Sequence, residues 1–67
     1  MMATAVLNVK GMSCGHCVQA VEGAVSRLGA SAKVNLQAGK VDVEFDEAHV
    51  TLSDIKAAIE DQGYDVQ

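Results

Sequence analysis

The sequence lacks proline and tryptophan, and its aromatic side chains are limited to one tyrosine and one phenylalanine. Only two of its 67 residues are cysteine, so disulfide bonds cannot take the place of a hydrophobic core. Small secreted chains usually carry several disulfides. The scarcity of cysteine in this sequence therefore favours a reducing compartment. We expect a cytoplasmic protein whose two thiols are available for chemistry.

Basic residues are also few, with five lysines and arginines against nine acidic residues and a net charge of −4. This balance argues against nucleic acid as a partner, because phosphates need a basic stripe. The charges are unevenly spread along the chain. Residues 1–34 carry three basic residues and one acid, whereas residues 35–67 carry two basic residues and eight acids. The two halves could therefore present faces of different sign.

No early segment resembles a targeting or membrane-spanning sequence. Met1–Thr4 carries none of the charged side chains that open a signal peptide, and the longest early apolar run is Ala5–Leu7. Because 49% of the residues are apolar and only 21% are charged, we expect a folded chain. Its length predicts one domain over residues 1–67.

Hydrophobic periodicity predicts six segments of secondary structure. Strict alternation of apolar and polar residues is typical of half-buried strands, and spacing by three and four residues is typical of helices. Thr51 and Asp54 form a capping-box pattern at the start of the second helix. The predicted segments are, in chain order, a strand at 5–10, a helix at 16–28, strands at 32–36 and 41–45, a helix at 52–62 and an edge strand at 64–66.

This order predicts an α+β fold of the ferredoxin-like type, a βαββαβ sandwich. Right-handed crossovers would place two helices on one face of a four-stranded antiparallel sheet. The other face of the sheet would be exposed to solvent and would carry polar side chains. These are Asn8, Lys33, Asn35, Asp42 and Glu44.

Two cysteines stand at the start of the first predicted helix. In the sequence Cys14-Gly15-His16-Cys17, one thiol precedes the helix and the other lies in its first turn. The unpaired N–H groups at a helix start favour anions, so thiolates form more easily there. Both sulfurs could then meet one small, soft ion.

Several other kinds of Cys-x-x-Cys site fit less well. Structural zinc takes four ligands, and beyond the cysteines the chain offers only His16 and His49. Haem attachment needs histidine where Val18 stands, and a four-thiolate iron–sulfur cluster needs two more cysteines. A thiol–disulfide oxidoreductase stays open as an alternative, with Cys14 as nucleophile and Cys17 as resolving thiol. However, the disulfide isomerases that the motif resembles face it with a cis-proline, which this chain cannot supply.

A site with two thiolates and no further obligatory ligand suits Cu(I). This ion accepts two soft ligands in near-linear geometry, a low coordination number that most divalent ions avoid. An incoming thiolate can add to such an open site, which favours transfer over storage. A carrier of another soft metal, such as mercury, silver or zinc, is a further alternative on the same residues.

The segment from Gly11 to Cys17 resembles the GMxCxxC signature of heavy-metal-associated domains. The rest of the chain resembles the small bacterial copper chaperones of that family, as far as Gly63-Tyr64-Asp65-Val66. The resemblance implies the ferredoxin-like fold and a Cu(I) carrier that is not an enzyme. It implies as partners the metal-binding domains of a copper-transporting P-type ATPase, and it allows a copper-responsive repressor as another.

Three further residues are candidates for shaping the site. Met12 follows the apolar face of the first strand, which favours a core position below the loop over a thioether ligand. His16 stands between the thiols, where it could tune their charge or cap bridging copper in a copper-dependent homodimer. Tyr64 belongs to a loop that the resemblance places near the metal loop, where it could shield the thiolates. His49 is expected on the surface.

Overall fold

The computed structural model describes residues 2–12 and 15–67, and it has the predicted order of helices and strands. Both helices pack on one face of a four-stranded antiparallel sheet, which confirms the ferredoxin-like fold. The elements are β1 (Met2–Lys10), α1 (Gly15–Arg27), β2 (Ser31–Asn35), β3 (Lys40–Asp46), α2 (Leu52–Asp61) and β4 (Asp65–Val66).

The sheet order is β2-β3-β1-β4, so strands from the two halves of the chain alternate. β1 pairs with β3 from Met2 opposite Asp46 to Asn8 opposite Lys40. β4 pairs with the other side of β1 at Val9 and Lys10 alone. This register places the end of β1, the β2–β3 connection and the start of β4 at one end of the molecule, hereafter the loop end.

The core lies between the helices and the inner face of the sheet. The alternation in β1 and β3 directs aliphatic side chains inward, and α1 and α2 cover them with residues spaced by three and four positions. The most deeply buried side chains are Val21, Val25, Val41, Val43, Ile55 and Ile59. The outer face carries the exposed polar residues expected there, which include all five predicted ones.

The interleaved strands overturn the expectation that each half of the chain could present its own sign of charge. Lys33 of β2 lies opposite Asp42 of β3, and Lys10 of β1 lies opposite Asp65 of β4. Basic residues of the first half thus stand beside acidic residues of the second half. The charge split along the sequence does not survive as a split between faces.

Several predicted strand boundaries are wrong by one residue and the start of β1 is wrong by three; two of these differences have a clear local cause. β1 begins at Met2, three residues before the predicted start, because its first residues continue the pairing with β3. β2 ends at Asn35, and Leu36 belongs to the following turn. The side-chain Oδ1 of Asn35 accepts a hydrogen bond from the backbone N of Ala38 at 3.2 Å, which closes the chain into a turn.

The capping box at the start of α2 is confirmed. The backbone N of Asp54 donates to Oγ1 of Thr51 at 3.1 Å, and the backbone N of Thr51 donates to Oδ2 of Asp54 at 3.2 Å. The helix therefore begins at the residue that the sequence indicates, which orients its buried face, including Ile55 and Ile59, toward the sheet.

None of the helices in the described part of the chain combines the length and apolar character that crossing a bilayer requires.

Candidate metal centre

The predicted metal loop connects the end of β1 to the start of α1, at the loop end. Cys14, one of the two predicted ligands, and its neighbour Ser13 lie outside the described residues. Cys17 is the third residue of α1 and is half-buried. The structure thus places one candidate sulfur in the first turn of the helix, as the sequence predicts.

The start of α1 is electrostatically suited to a negatively charged sulfur. The first backbone N–H groups of a helix have no acceptor within the helix, and they carry the positive end of its dipole. No acidic side chain stands in the first turn of α1 to compete for these groups. A thiolate at Cys17 is therefore stabilised by its position in the helix.

The other end of α2 also reaches the loop end. α2 starts near the end of β3 and runs back, so Glu60 and Asp61 in its last turn approach the loop end together with Asp65. Lys10 and Lys40 lie at the same end of the sheet. Charges of both signs therefore lie at the same end of the molecule as the candidate site. The acidic residues could not be assigned to this end from the sequence, because they lie far from the metal loop along the chain.

Tyr64 lies directly against the start of the metal loop. Gly11, the first residue after β1, has a φ of +99°, and a Cβ placed on it would lie 3.5 Å from Cδ1 of Tyr64. The ring is half-buried and packs on the hydrophobic core. The expected proximity of Tyr64 to the metal loop is thus confirmed, through a glycine whose left-handed conformation turns the chain out of the sheet.

The backbone conformations of two glycines predict opposite effects for their substitution. Gly11→Ala should lower the free energy of unfolding by about 1–2 kcal/mol, because an alanine is strained at positive φ. Gly23→Ala should raise it by about 0.5–1 kcal/mol, since Gly23 lies within α1 at a negative φ with no atom within 4 Å of an added Cβ. Urea denaturation measures the free energy of unfolding of both variants. Equal changes in this free energy would contradict the assignment of strain to Gly11.

The remaining candidate residues separate into core and surface. Met12 is half-buried and packs against the core, as expected for a residue below the loop. His16 is exposed in the first turn of α1. His49 lies at the opposite end of the molecule, is 79% exposed, and places its Nε2 3.6 Å from Oδ2 of Asp46. Its predicted surface position is therefore confirmed.

Asp46 organises the turn that carries His49. Its Oδ1 accepts a hydrogen bond from the backbone N of Ala48 at 3.0 Å, and this bond is the largest cause that holds the pKa of Asp46 below its usual value. The nearby imidazole of His49 acts in the same direction. This turn is structural, and it is far from the metal loop.

Within residues 2–12 and 15–67, no group of three histidine, cysteine, aspartate or glutamate side chains could together hold a metal ion. A structural zinc site needs four ligands. A pair formed by Cys14 and Cys17 is a different kind of site and includes a residue outside this range.

A model of the heavy-metal-associated domain matches residues 6–65. The chain belongs to the heavy-metal-associated domain family. The match begins within β1 and ends at the first residue of β4, so it includes all or part of every element of the fold. Membership therefore rests on the whole architecture as well as on the cysteine motif.

Several relatives in this family carry copper in their names. Copper chaperone CopZ of Staphylococcus aureus (strain bovine RF122 / ET3-1) is 54% identical over 67 residues, which are 97% of this chain and 98% of that protein. The solution structure of a putative copper-ion-binding protein from Bacillus anthracis str. Ames has a TM-score of 0.94 at 54% identity and covers 100% of this chain and 97% of that one.

The family fold also occurs within copper transporters. The N-terminal domain of a potential copper-translocating P-type ATPase from Bacillus subtilis, solved in the Cu(I)-loaded state, has a TM-score of 0.93 at 28% identity. It covers 100% of this chain, which in turn covers 86% of that domain. The fold described here is therefore shared by free-standing carriers and by transporter domains.

Proposed function

We propose that this chain is a copper chaperone that carries Cu(I) between the thiolates of Cys14 and Cys17. The observation that carries the proposal is the 54% identity to CopZ over nearly the full length of both chains. The position of Cys17 at the start of α1 supports it, because the helix start favours the thiolate that Cu(I) binds. The proposed site works in a reducing compartment, for which we propose the cytoplasm.

Transfer is proposed to proceed by exchange of thiolates. A thiolate of the acceptor forms a bond to the bound Cu(I), giving a three-thiolate intermediate, and the bond to Cys14 or Cys17 then breaks. The ion stays Cu(I) throughout, and each leaving thiolate can take up a proton from water. The P-type ATPase domain with the same fold supports such an acceptor, because two similar loops could bring their thiols together.

The surroundings of the loop are proposed to adjust this exchange. Met12 and Tyr64 pack on the core, and Tyr64 lies beside Gly11 at the start of the loop. Both are proposed to limit access of water to the sulfurs. The exposed His16 is proposed to cap copper shared by two chains, so excess Cu(I) should produce a homodimer that His16→Ala weakens in sedimentation. A copper-responsive repressor is a second proposed acceptor, by the same exchange.

Docking with an acceptor is proposed to depend on charge at the loop end. Of the basic residues in the first half of the sequence, Arg27 is the last residue of α1 and lies at the opposite end of the molecule. Lys33 lies within β2 opposite Asp42. Lys10 is the last residue of β1 and lies beside the loop, opposite Asp65 and at the same end of the sheet as Lys40. Charges on such a rim mainly raise the rate of association.

The proposed function is tested by transfer of copper to a partner domain. The Cu(I)-loaded chain is mixed without oxygen with a soluble P-type ATPase metal-binding domain, and the copper content of each is measured after separation. We expect copper to pass at a rate that falls as salt rises and that Lys10→Glu slows. Arg27→Glu, the same charge reversal at an exposed site at the opposite end of the molecule, should have a smaller effect.

Two outcomes would contradict the proposal. In one, the rate of copper transfer to the acceptor domain equals the rate at which a small chelator removes copper from the chain. Equal rates would show that copper is first released to solvent and is not exchanged directly between the proteins. The other is rapid reduction of insulin by the metal-free dithiol, at a rate comparable to thioredoxin. That result would favour the thiol–disulfide oxidoreductase.

A further inference from the structure

The β2–β3 turn, residues 36–39, contacts the end of β1. The backbone O of Gly39, the last residue of this turn, accepts a hydrogen bond from the backbone N of Val9 at 2.8 Å. A Cβ placed on Gly39 would lie 3.4 Å from the backbone O of Val9. Val9 is a buried core residue and stands two positions before Gly11, at the start of the metal loop. The turn therefore contacts the part of β1 from which the metal loop departs.

The conformation of the turn depends on Gly39. The side chain of Asn35 accepts the hydrogen bond from the backbone N of Ala38, and the backbone N of Gly39 donates to the O of Leu36 at 3.4 Å. Gly39 has a φ of +65°, in the left-handed region that glycine adopts freely and that alanine does not. Relief of the strain in an alanine at this position would change its φ and ψ. Its carbonyl oxygen would then move relative to Val9.

The bond to Gly39 holds the end of β1 on the side of β3. The paired residues of β1 and β3 end at Asn8 opposite Lys40, and the bond from Val9 to Gly39 continues the pairing by one residue. On the other side of β1, β4 pairs with Val9 and Lys10. The last residues of β1 are therefore held from both sides, and this fixes where the chain turns out of the sheet at Gly11.

We propose that Gly39 is a positioning residue for the metal loop, because its carbonyl oxygen fixes the end of β1 from which the loop departs. The proposal rests on the proposed copper function, since the loop carries Cys14 and leads to Cys17 in α1. A loop whose base is fixed loses less conformational freedom when two thiolates bind one ion. Loosening the base should therefore weaken Cu(I) binding although both ligands remain.

Gly29 provides a matched control for the substitution of Gly39. It follows α1 at the opposite end of the molecule and also has a positive φ, of +83°. Among the described residues, no atom lies within 4 Å of a Cβ added to it. Alanine at either position is therefore strained mainly by its backbone conformation. Gly29→Ala lowers the overall stability without altering the end of β1, so it separates a loss of stability from a loss of positioning.

The first test is anaerobic titration of the unchanged chain and its variants with Cu(I) against a competing chelator. Groups that directly support metal ligands typically contribute about 10–100-fold to affinity. Gly39 acts one step further away, so Gly39→Ala should lower the affinity by about three- to tenfold, and Gly29→Ala by less than about twofold. Gly39→Asn should restore most of the loss, because asparagine tolerates the left-handed conformation better than alanine. Equal losses for Gly39→Ala and Gly29→Ala would overturn the proposal.

The second test is amide hydrogen exchange of the metal-free, reduced protein. The amides of Leu7 and Val9 both point toward β3, but Leu7 lies within the paired residues, opposite Val41. Gly39→Ala should speed the exchange of Val9 by at least about tenfold relative to Leu7, because only the end of the strand is loosened. Gly29→Ala should change both amides by the same factor. An unchanged ratio of the two rates in Gly39→Ala would overturn the proposal.

Failure of the positioning role is distinguishable from failure of the copper function. An unchanged chain that does not retain Cu(I) would contradict the copper function, whereas the exchange of Val9 still shows whether the turn fixes the end of β1. Faster exchange of Val9 in Gly39→Ala together with unchanged Cu(I) affinity would overturn the positioning role alone. Asn35→Ala removes the acceptor of the Ala38 amide and loosens the same turn without a change at Gly39. It should act in the same direction in both measurements, and it replaces Gly39→Ala if that variant does not fold.

Discussion

Replacing either cysteine of the motif with serine is expected to abolish retention of Cu(I) against a competing chelator. A serine hydroxyl stays protonated near neutral pH and is a hard donor, so the soft ion loses one of its two proposed ligands. We expect the affinity to fall by at least about a thousandfold, which corresponds to about 4 kcal/mol. Anaerobic titration of Cys14→Ser, Cys17→Ser and the double variant measures this loss.

The fold is expected to survive these changes. Cys17 is half-buried at the start of α1 and is not among the buried residues of the core. Ser26→Ala, at an exposed position near the far end of α1, is the matched control and should bind Cu(I) like the unchanged chain. A double variant that still holds Cu(I) against the chelator would show that the ion is bound elsewhere.

Candidate residues around the loop are expected to have smaller effects than the cysteines. Removing groups that support metal ligands typically costs about 10–100-fold in affinity. Met12→Ala and Tyr64→Phe should fall within or below this range. The contrast between large losses at the two cysteines and modest losses at their neighbours would distinguish ligands from residues that position them.

Most of the fold could be predicted because its strands and helices have clear periodicity. The alternation of Val41, Val43 and Phe45 identifies a half-buried strand, and the capping box at Thr51 marks the start of α2 to the residue. The first residues of β1 cannot be predicted as strand from the local pattern, because Met2 and Thr4 are exposed on the outer face. Their place in the sheet comes from pairing with β3, which the local pattern does not contain.

The candidate site could be predicted only where it is local in sequence. The two cysteines are three residues apart, so their spacing alone places them around a helix start. The contact between Gly11 and Tyr64 joins positions more than fifty residues apart, and it exists because β4 returns beside β1. The mixed charges at the loop end have the same origin, since the alternating strand order brings Lys10 and Asp65 together.

Truncation of Ile59 is expected to produce the largest loss of folding stability among the predicted changes. Its side chain lies on the inner face of α2 and is completely buried among the aliphatic residues of the core. Ile59→Ala removes this apolar surface and leaves a cavity, at a cost of about 2–5 kcal/mol. A domain of this size has only about 3–10 kcal/mol of stability in total, so much of the folding free energy would be lost.

Urea denaturation at 25 °C should therefore show a large decrease in the midpoint for Ile59→Ala. Leu36→Ala also shortens an aliphatic side chain, but that side chain is 37% exposed on a turn, so the change should stay within about 0.5 kcal/mol. Since Ile59 belongs to the core and not to the metal loop, the folded fraction of the variant should bind Cu(I) with nearly unchanged affinity. Loss of copper binding in a variant that remains folded would mean that α2 positions the proposed ligands, and it would contradict their independence from the core.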